Sequence, residues 1–268
     1  MNNTFKSYNI ASININCVSN RNKIKSLCSF VRIHSIHDII LLQEVENANM
    51  SIPGYNVITN VDSAKRGTAI ALKSHIPYNS VLRSLDSRII SLKITNSLSV
   101  CNVYAPSGNQ NVASREYLFR HSLPFYLQNS AQHVIIGGDF NCVVSAKDAT
   151  GSSNYSLSLK RLVDSLGLCD TWDTLNRNQV AYSFVRPNTA SRIDRVYVSP
   201  SLVPHLRTSE FFVTCFSDHK AYKGRCCLPD LGNPHGPGYW SMRPHVLIDE
   251  NIVEFEQKWN RWLREKQY

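Results

Sequence analysis

Residues 134–141 read Val134-Ile135-Ile136-Gly137-Gly138-Asp139-Phe140-Asn141. The β-branched run favours a buried strand, and the two glycines then let the backbone turn. Asp139 and Asn141 follow at alternate positions. Side chains two apart on extended backbone point the same way, so a carboxylate and a carboxamide leave one rim of a sheet. Burying such groups is costly unless the rim serves something polar. A metal ion, a phosphate or an attacking water fits that need.

The same grammar, an apolar strand ending in polar groups, recurs along the chain. Ile13-Asn14-Ile15-Asn16 places two amides at alternate positions of the opening strand, and Ile39-Ile40-Leu41-Leu42-Gln43-Glu44 ends in one carboxylate. Asn102-Val103-Tyr104-Ala105-Pro106 presents a phenol before a proline that stops pairing. Ser191-Arg192-Ile193-Asp194-Arg195 and Ser217-Asp218-His219 complete the set, the latter after the aromatic run Glu210–Phe216. Singly, an acid or amide here caps a turn, and a histidine is a surface group. Together, at successive strand ends, they point to one site.

The chemistry that suits them is metal-assisted phosphodiester hydrolysis. Hard Mg2+ takes oxygen ligands and keeps several waters, so one or two carboxylates suffice. Glu44 is the natural ligand, with Asn14 and Asp218 nearby, and Mn2+ is the expected substitute ion. Asp139 suits a base that orients and deprotonates water, and Asn141 suits a group holding the nucleophile or a phosphate oxygen. His219, kept charged and aimed by Asp194, suits donation to a non-bridging oxygen, as does Tyr104. The absence of clustered histidines argues against zinc.

The bulk numbers agree. A chain of 268 residues, 43% apolar and 18% charged, is long enough for a large α/β core. A formal charge of +9 favours an anionic partner such as nucleic acid. The eight cysteines lack metal-ligand spacing, and Cys101, Cys142 and Cys215 sit in or beside apolar runs, so reduced thiols in a cytosolic or nuclear protein are expected. Residues 1–7 carry no apolar signal core, and no run reaches the ~18 apolar residues of a membrane span.

Strand-like runs are Tyr8–Ile15, Asp38–Gln43, Gly67–Leu72, Arg88–Ile94, Ser99–Val103, His133–Ile136, Arg192–Val198 and Glu210–Phe216. Helical spacing marks Asn22–Arg32, Ala113–Leu127 (with Leu123 just before Pro124) and Leu157–Leu166, the last stopped by Gly167. Strands outnumber helices, which predicts an α/β fold with two sheets packed face to face and flanked by helices. No internal repeat is visible. Residues 1–228 form the expected domain; 229–268 begin as a Pro/Gly-rich linker and continue as an amphipathic helix carrying Ile252, Phe255, Trp259, Trp262 and Leu263.

Taken in order, Asn14 in INI, Glu44 in LLQE, Tyr104 in NVYAP, Asp139 and Asn141 in GGDFN, Asp194 in SRIDRV and SDH at 217–219 resemble the exonuclease–endonuclease–phosphatase superfamily over residues 7–228. NVYAPS, GGDFN and SRIDRVYVS look most like the apurinic-endonuclease-like domain of non-LTR (LINE-type) retrotransposons. GPGYW with the tryptophan helix resembles the connector to their reverse transcriptase domain. The resemblance implies a four-layer α/β sandwich of two mixed sheets and a Mg2+-dependent nick leaving a 3′-hydroxyl that primes reverse transcription. It also implies that Asp194 pairs with His219 while Asp218 lies nearer the metal, that the isolated domain is monomeric, and that it works in the nucleus after translation in the cytoplasm. Cys17 stands where the family often has glycine.

Candidate phosphate contacts are Arg21, Lys23, Lys65, Arg66 and Arg115. The loop from Val185 to Arg192 joins two strand-like runs beside Asp194 and must overhang the site. The resemblance makes it a hairpin that enters the minor groove of double-stranded DNA, where Arg186, Ser191 and Arg192 suit a narrow, electronegative groove. Two other functions fit parts of the pattern: an abasic-site repair endonuclease and a non-catalytic DNA-tethering module. A lipid or inositol phosphatase fits less well, because a basic face and an arginine-bearing hairpin suit a polymer.

Overall fold

The computed structural model describes residues 5–17, 21–36, 38–63, 67–151 and 154–229. All belong to the first of the two units into which the chain divides at Asn233. Of the expected linker and tryptophan helix, 229–268, Pro229 ends the last strand and residues 230–268 lie outside the described residues.

The chain opens with β1 (Phe5–Asn14), crosses through α1 (Arg21–Ile33) and returns as β2 (Ile39–Gln43), parallel to β1. β3 (Tyr55–Val61) and β4 (Gly67–Lys73) form a hairpin that joins β2 through β4. A second sheet starts with the meander β5 (Ser80–Arg83), β6 (Ile89–Lys93) and β7 (Leu98–Tyr104). A helical crossover follows: α2 (Val112–Tyr117), a π turn over Leu118–Ser122, and α3 (Leu123–Leu127). It leads to β8 (His133–Asp139), parallel to β7. Then come β9 (Ala149–Thr150), α4 (Leu157–Ser165), β10 (Cys169–Asp170), α5 (Thr171–Leu175), the hairpin β11 (Phe184–Arg186) and β12 (Thr189–Ser191), β13 (Asp194–Val198), β14 (Leu206–Phe212) and β15 (Ala221–Pro229).

The sheet orders are β14-β15-β1-β2-β4-β3 and β10-β13-β8-β7-β6-β5, and the hairpin forms a small third sheet with β9. In both large sheets a central parallel pair has two antiparallel neighbours on each side. The chain visits the corresponding strands of the two sheets in a different order.

Strand alternation explains the continuous apolar runs. Ile39 and Leu41 face the middle layer with Leu98, Val100 and Ile135. Ile40 and Leu42 face the other way, onto Leu27, Phe30 and Val31 of α1. Cys101, Val103 and Ile136 meet Leu118, Phe119, Leu123 and Leu159 on the far side. Helix, sheet, sheet and helices make four layers, as expected. Towards the strand ends the middle layer becomes polar. Gln43 Nε2 donates to Asn102 Oδ1 at 2.7 Å, and Asn102 Nδ2 donates to the carbonyls of Leu42 and Ala69 at 2.8 Å. These buried amides tie the sheets together beneath the site.

The structure corrects two expectations. Gly137 and Gly138 do not make a turn; both lie inside β8. Gly138 has φ +145°, and a Cβ there would fall 1.9 Å from the Val103 carbonyl oxygen, while one on Gly137 would fall 2.5 Å from Leu41 Cδ1. Close approach within and between sheets, not turning, requires glycine here. As the helical spacing over Ala113–Leu127 requires, the crossover accommodates Pro124, because the π turn before it widens the backbone where the ring would collide with the preceding turn. The strand expected at Glu210–Phe216 instead spans Leu206–Phe212. Thr214 Oγ1 then donates to the carbonyls of Ser217 and His219, building the loop that carries Asp218 and His219. Among the described residues no helix is long and apolar enough to cross a membrane.

Candidate active site

Strand register gathers the polar ends. Tyr104 pairs with Asp139 across β7 and β8, and Asp139 pairs with Asp194 across β8 and β13. Asn14 ends β1 in the facing sheet beside Gln43, and Glu44 follows at once. Glu44, Asn16, Cys17 and Asn141 adopt φ of +57°, +46°, +55° and +49°. Left-handed backbone costs non-glycine residues roughly 1–2 kcal/mol each, and such outliers cluster where function holds them. Here each strand ends in a residue turned back towards the cleft.

Asn14 Nδ2 donates to Glu44 Oε1 and to Asp139 Oδ2, both at 3.0 Å. Asp139 also accepts from the Asn141 backbone N–H at 2.9 Å and from Asn141 Nδ2 at 3.1 Å. Asn141 Nδ2 reaches the Ala105 carbonyl at 2.9 Å, which fixes its orientation. Tyr104 Oη donates to Glu44 Oε1 at 3.3 Å, with the Arg88 guanidinium 4.6 Å over its ring. His219 Nδ1 lies 2.8 Å from Asp194 Oδ2, so that pairing stands as expected and leaves the other ring nitrogen for a substrate. Asn16 Nδ2 donates to Asp218 Oδ1 at 3.0 Å. Glu44, Asp139, Asn141, Asp218 and His219 line a cleft of about 390 Å3, while Asn14, Tyr104 and Asp194 stand behind it.

Burial, reinforced by the Asp194 charge, raises the Asp139 carboxyl to about 7. Burial opposes charge on His219, but the adjoining Asp194 carboxylate outweighs it and raises the imidazole to about 10. Burial, with the Glu44 and Asp139 charges, pushes the Tyr104 phenol well up, so it remains a donor. Asp139, Asp194 and His219 bring donor atoms within 4.8 Å of one another. His219 Nδ1 is engaged with Asp194 Oδ2, so the trio suits proton handling. Glu44, held by Asn14, and Asp218, held by Asn16, both line the cleft and are the oxygen donors that fit a hard divalent ion. Asn14 turns its amide nitrogen, not its oxygen, to the two carboxylates. Its Oδ1 accepts from the Asn16 N–H at 2.9 Å, and its amide bridges two carboxylates instead.

Several expected DNA contacts move. Arg192 is buried, not groove-facing: its guanidinium lies 2.8 Å from Asp148, 2.7 Å from Asp170 and 3.1 Å from Asp173. Arg195 joins the cluster at 2.7 Å from Asp148 and 2.9 Å from Asp170. Arg115 is buried and donates to the Pro106 and Gly108 carbonyls, shaping the loop after Tyr104. Lys23 donates to the Asn16 carbonyl at 2.7 Å and so supports the first loop. Arg186 is exposed, and it and Ser191 line the cleft. Lys65 and Arg66, and the side chain of Arg21, lie outside the described residues.

The sequence reading missed Asn16 as a site residue, although it is the second amide of the same alternation. It also missed Ser183, whose buried Oγ accepts from the Ile193 and Asp194 N–H groups at 3.1 and 3.0 Å. No spacing rule flags a lone serine ten residues upstream. Asp148 and Asp170 were missed for the same reason.

Strand ends of two stacked sheets thus converge on buried carboxylates, a charged histidine and oxygen donors for a cation. The chain belongs to the endonuclease/exonuclease/phosphatase family, whose sequence model matches residues 8–219. It is a metal-dependent phosphodiesterase. A 149 kDa protein of the transposon TX1 from Xenopus laevis is 30% identical over 192 residues, which is 66% of this chain but 14% of that protein. The fold is similar to an AP endonuclease from Archaeoglobus fulgidus (TM-score 0.69, 20% identity, 81% of this chain and 98% of that one). It is likewise similar to an AP endonuclease from Leishmania major (TM-score 0.71, 17% identity, 84% and 89%).

Proposed function

We propose that the chain is the endonuclease domain of a non-LTR retrotransposon, nicking one strand of double-stranded DNA to leave a 3′-hydroxyl that primes reverse transcription. The observation that carries this reading is the arrangement around Asp139. A carboxyl raised to about 7 is held by Asn14 and Asn141 at one side of the cleft, with the charged His219–Asp194 pair beside it. The transposon origin of the Xenopus relative and the formal charge of +9 support DNA as the substrate.

Bound at Glu44 and Asp218, Mg2+, or Mn2+ in its place, supplies positive charge that offsets charge developing on the phosphate. Asp139 takes a proton from a water oriented with the help of Asn141, and the water oxygen bonds to phosphorus. The P–O3′ bond breaks, leaving a 5′-phosphate and a 3′-oxygen that gains a proton from solvent. His219 donates from its outward nitrogen to a non-bridging oxygen. Tyr104 steers Glu44 through its hydroxyl. Arg186 and Ser191 bring the hairpin into the minor groove. The non-catalytic tethering reading is set aside because the chain belongs to an enzyme family. A reverse transcriptase domain beyond residues 229–268, a monomeric isolated domain and work in the nucleus complete the proposal.

Supercoiled plasmid with Mg2+ should become open circles whose nicks a polymerase extends directly. Glu44→Ala, Asp139→Ala and His219→Ala should each abolish nicking. Nicks that need a phosphatase before extension would rule out priming. Resemblance in fold to AP endonucleases favours one rival, abasic-site repair; a duplex with one abasic site cut far faster than intact DNA would establish it.

A further inference from the structure

Phe184, the first residue of β11, lies between two side chains that belong to different tasks, Arg186 of the hairpin and His219 of the site. The Arg186 guanidinium stands 4.8 Å from the centre of its ring, and the His219 ring centre is also 4.8 Å away at 45°. The backbones of Phe184 and His219 form an isolated antiparallel bridge, and the Lys220 N–H donates to the Ser183 carbonyl at 2.7 Å. Ser183 Oγ, one residue earlier, accepts from the Asp194 N–H at 3.0 Å. Residues 183–184 therefore touch both members of the Asp194–His219 pair. The hairpin they begin carries the exposed Arg186 and is tied through β12 to β9.

An aromatic face attracts a cation by its quadrupole, worth roughly 0.5–1 kcal/mol at an exposed site. A phosphate is a stronger partner for a guanidinium, because the hydrogen bonds are charge-assisted. Contact with DNA draws Arg186 off the ring. The phosphate then anchors the hairpin through Arg186, and the Phe184 ring steadies the imidazole in the pairing with Asp194 that the free protein already has.

We propose that Phe184 is a positioning residue through which the hairpin couples DNA engagement to His219, an inference that rests on the nicking function proposed above. It predicts that losing the ring slows bond cleavage more than it weakens binding. A misplacement of about 1 Å at a catalytic group can cost about 100-fold in rate.

The test uses the full 268-residue chain and a duplex that the wild type nicks. Phe184→Ala and Phe184→Leu should lower kcat by about 10- to 100-fold, with Kd for the duplex in EDTA changed less than about threefold. Phe184→Tyr, which keeps the ring, should restore kcat. Arg186→Ala should lower kcat in the wild type and cause no further loss beside Phe184→Leu, the non-additivity expected of coupled residues. The partly exposed site should tolerate leucine, and thermal melting checks this for each variant. Weakened Kd at unchanged kcat, or multiplicative losses in the double variant, would overturn the coupling. A second arm does not need nicking: His219 ring nitrogen shifts, read without metal, should move on duplex binding in the wild type but not in Phe184→Leu. Equal movement in both overturns the coupling, whereas a wild type that binds without nicking any duplex overturns the function.

Discussion

Asn14 Nδ2 donates to Asp139 Oδ2 at 3.0 Å, a hydrogen bond between two sheets from residues 125 apart in the chain. The same nitrogen reaches Glu44 Oε1 at 3.0 Å, so one amide holds the base and the cation-binding carboxylate at fixed separation. Asn14→Ala should keep the fold and lower kcat by about 100-fold, the usual cost of one aimed donor. Asn14→Asp should be worse and less stable, since it adds a carboxylate where two already face each other. Nicking rates and melting curves on the same preparations check both; wild-type kcat in Asn14→Ala would remove the amide from the mechanism.

Activity should follow a bell-shaped pH profile. Asp139 must be ionised to take a proton, and its carboxyl is raised to about 7. His219 must be protonated to donate, and it remains so up to about 10. kcat/KM should therefore rise through pH 7 and fall near pH 10. Saturating divalent ion should move the acid limb to lower pH, since nearby positive charge favours the carboxylate. A flat profile from pH 5 to 9 at low metal would exclude Asp139 as the base.

Stability should carry the same histidine's signature. His219 gains a partner on folding and is raised from 6.5 to about 10. A raised base stabilises the folded state fully below its unfolded value, and the contribution disappears as pH climbs through the folded value. Tm should thus fall by several degrees between about pH 7 and pH 10. Asp194→Asn should lower Tm at pH 7 and flatten that decline. An unchanged slope in Asp194→Asn would mean other groups dominate.

Much of this site was legible because its residues follow apolar strands directly, so strand ends and site coincide. Glu44 and Asp139 needed only alternation and a stop signal, whereas the SDH turn at 217–219 rides on a loop beyond the end of β14. Arginines defeated the same logic. Arg186, within the hairpin, and Arg192, just after it, read alike, yet Arg192 is buried against three aspartates and Arg186 is exposed. The aspartates that decide this, at 148, 170 and 173, come from a short helical turn and from the start of α5, up to 44 residues away. Charge pairing across such distances leaves no periodicity to read. The glycines of β8 misled for a related reason, since the atoms that exclude a Cβ belong to Val103 and Leu41 on other strands.

Removing Arg192 should therefore act on stability, not on DNA contact. Arg192→Ala leaves the buried Asp148 short of a partner, and breaking a buried pair on one side costs about 3–5 kcal/mol. Its DNA affinity per folded molecule should keep the wild-type salt dependence. Arg186→Ala should melt like the wild type and lower the log Kd against log salt slope by about 1, as loss of one phosphate contact does. The reverse pattern would return Arg192 to the groove.

The two glycines of β8 should fail in different ways. A Cβ on Gly137 meets the end of a flexible side chain, Leu41 Cδ1 at 2.5 Å, with Val196 Cγ2 next at 3.1 Å. Gly137→Ala should cost about 1–3 kcal/mol by overpacking, and shortening the obstacle in Gly137→Ala/Leu41→Val should recover part of it. A Cβ on Gly138 meets backbone, the Val103 oxygen at 1.9 Å, on a residue at φ +145°. Nothing can be trimmed there without parting β7 from β8, the parallel pair that aligns Tyr104 with Asp139. Gly138→Ala should lose nicking entirely, and Leu41→Val should not rescue it. Comparable rescue of both glycine variants would show that the β7–β8 contact yields, and that Asp139 is placed by something other than that strand pair.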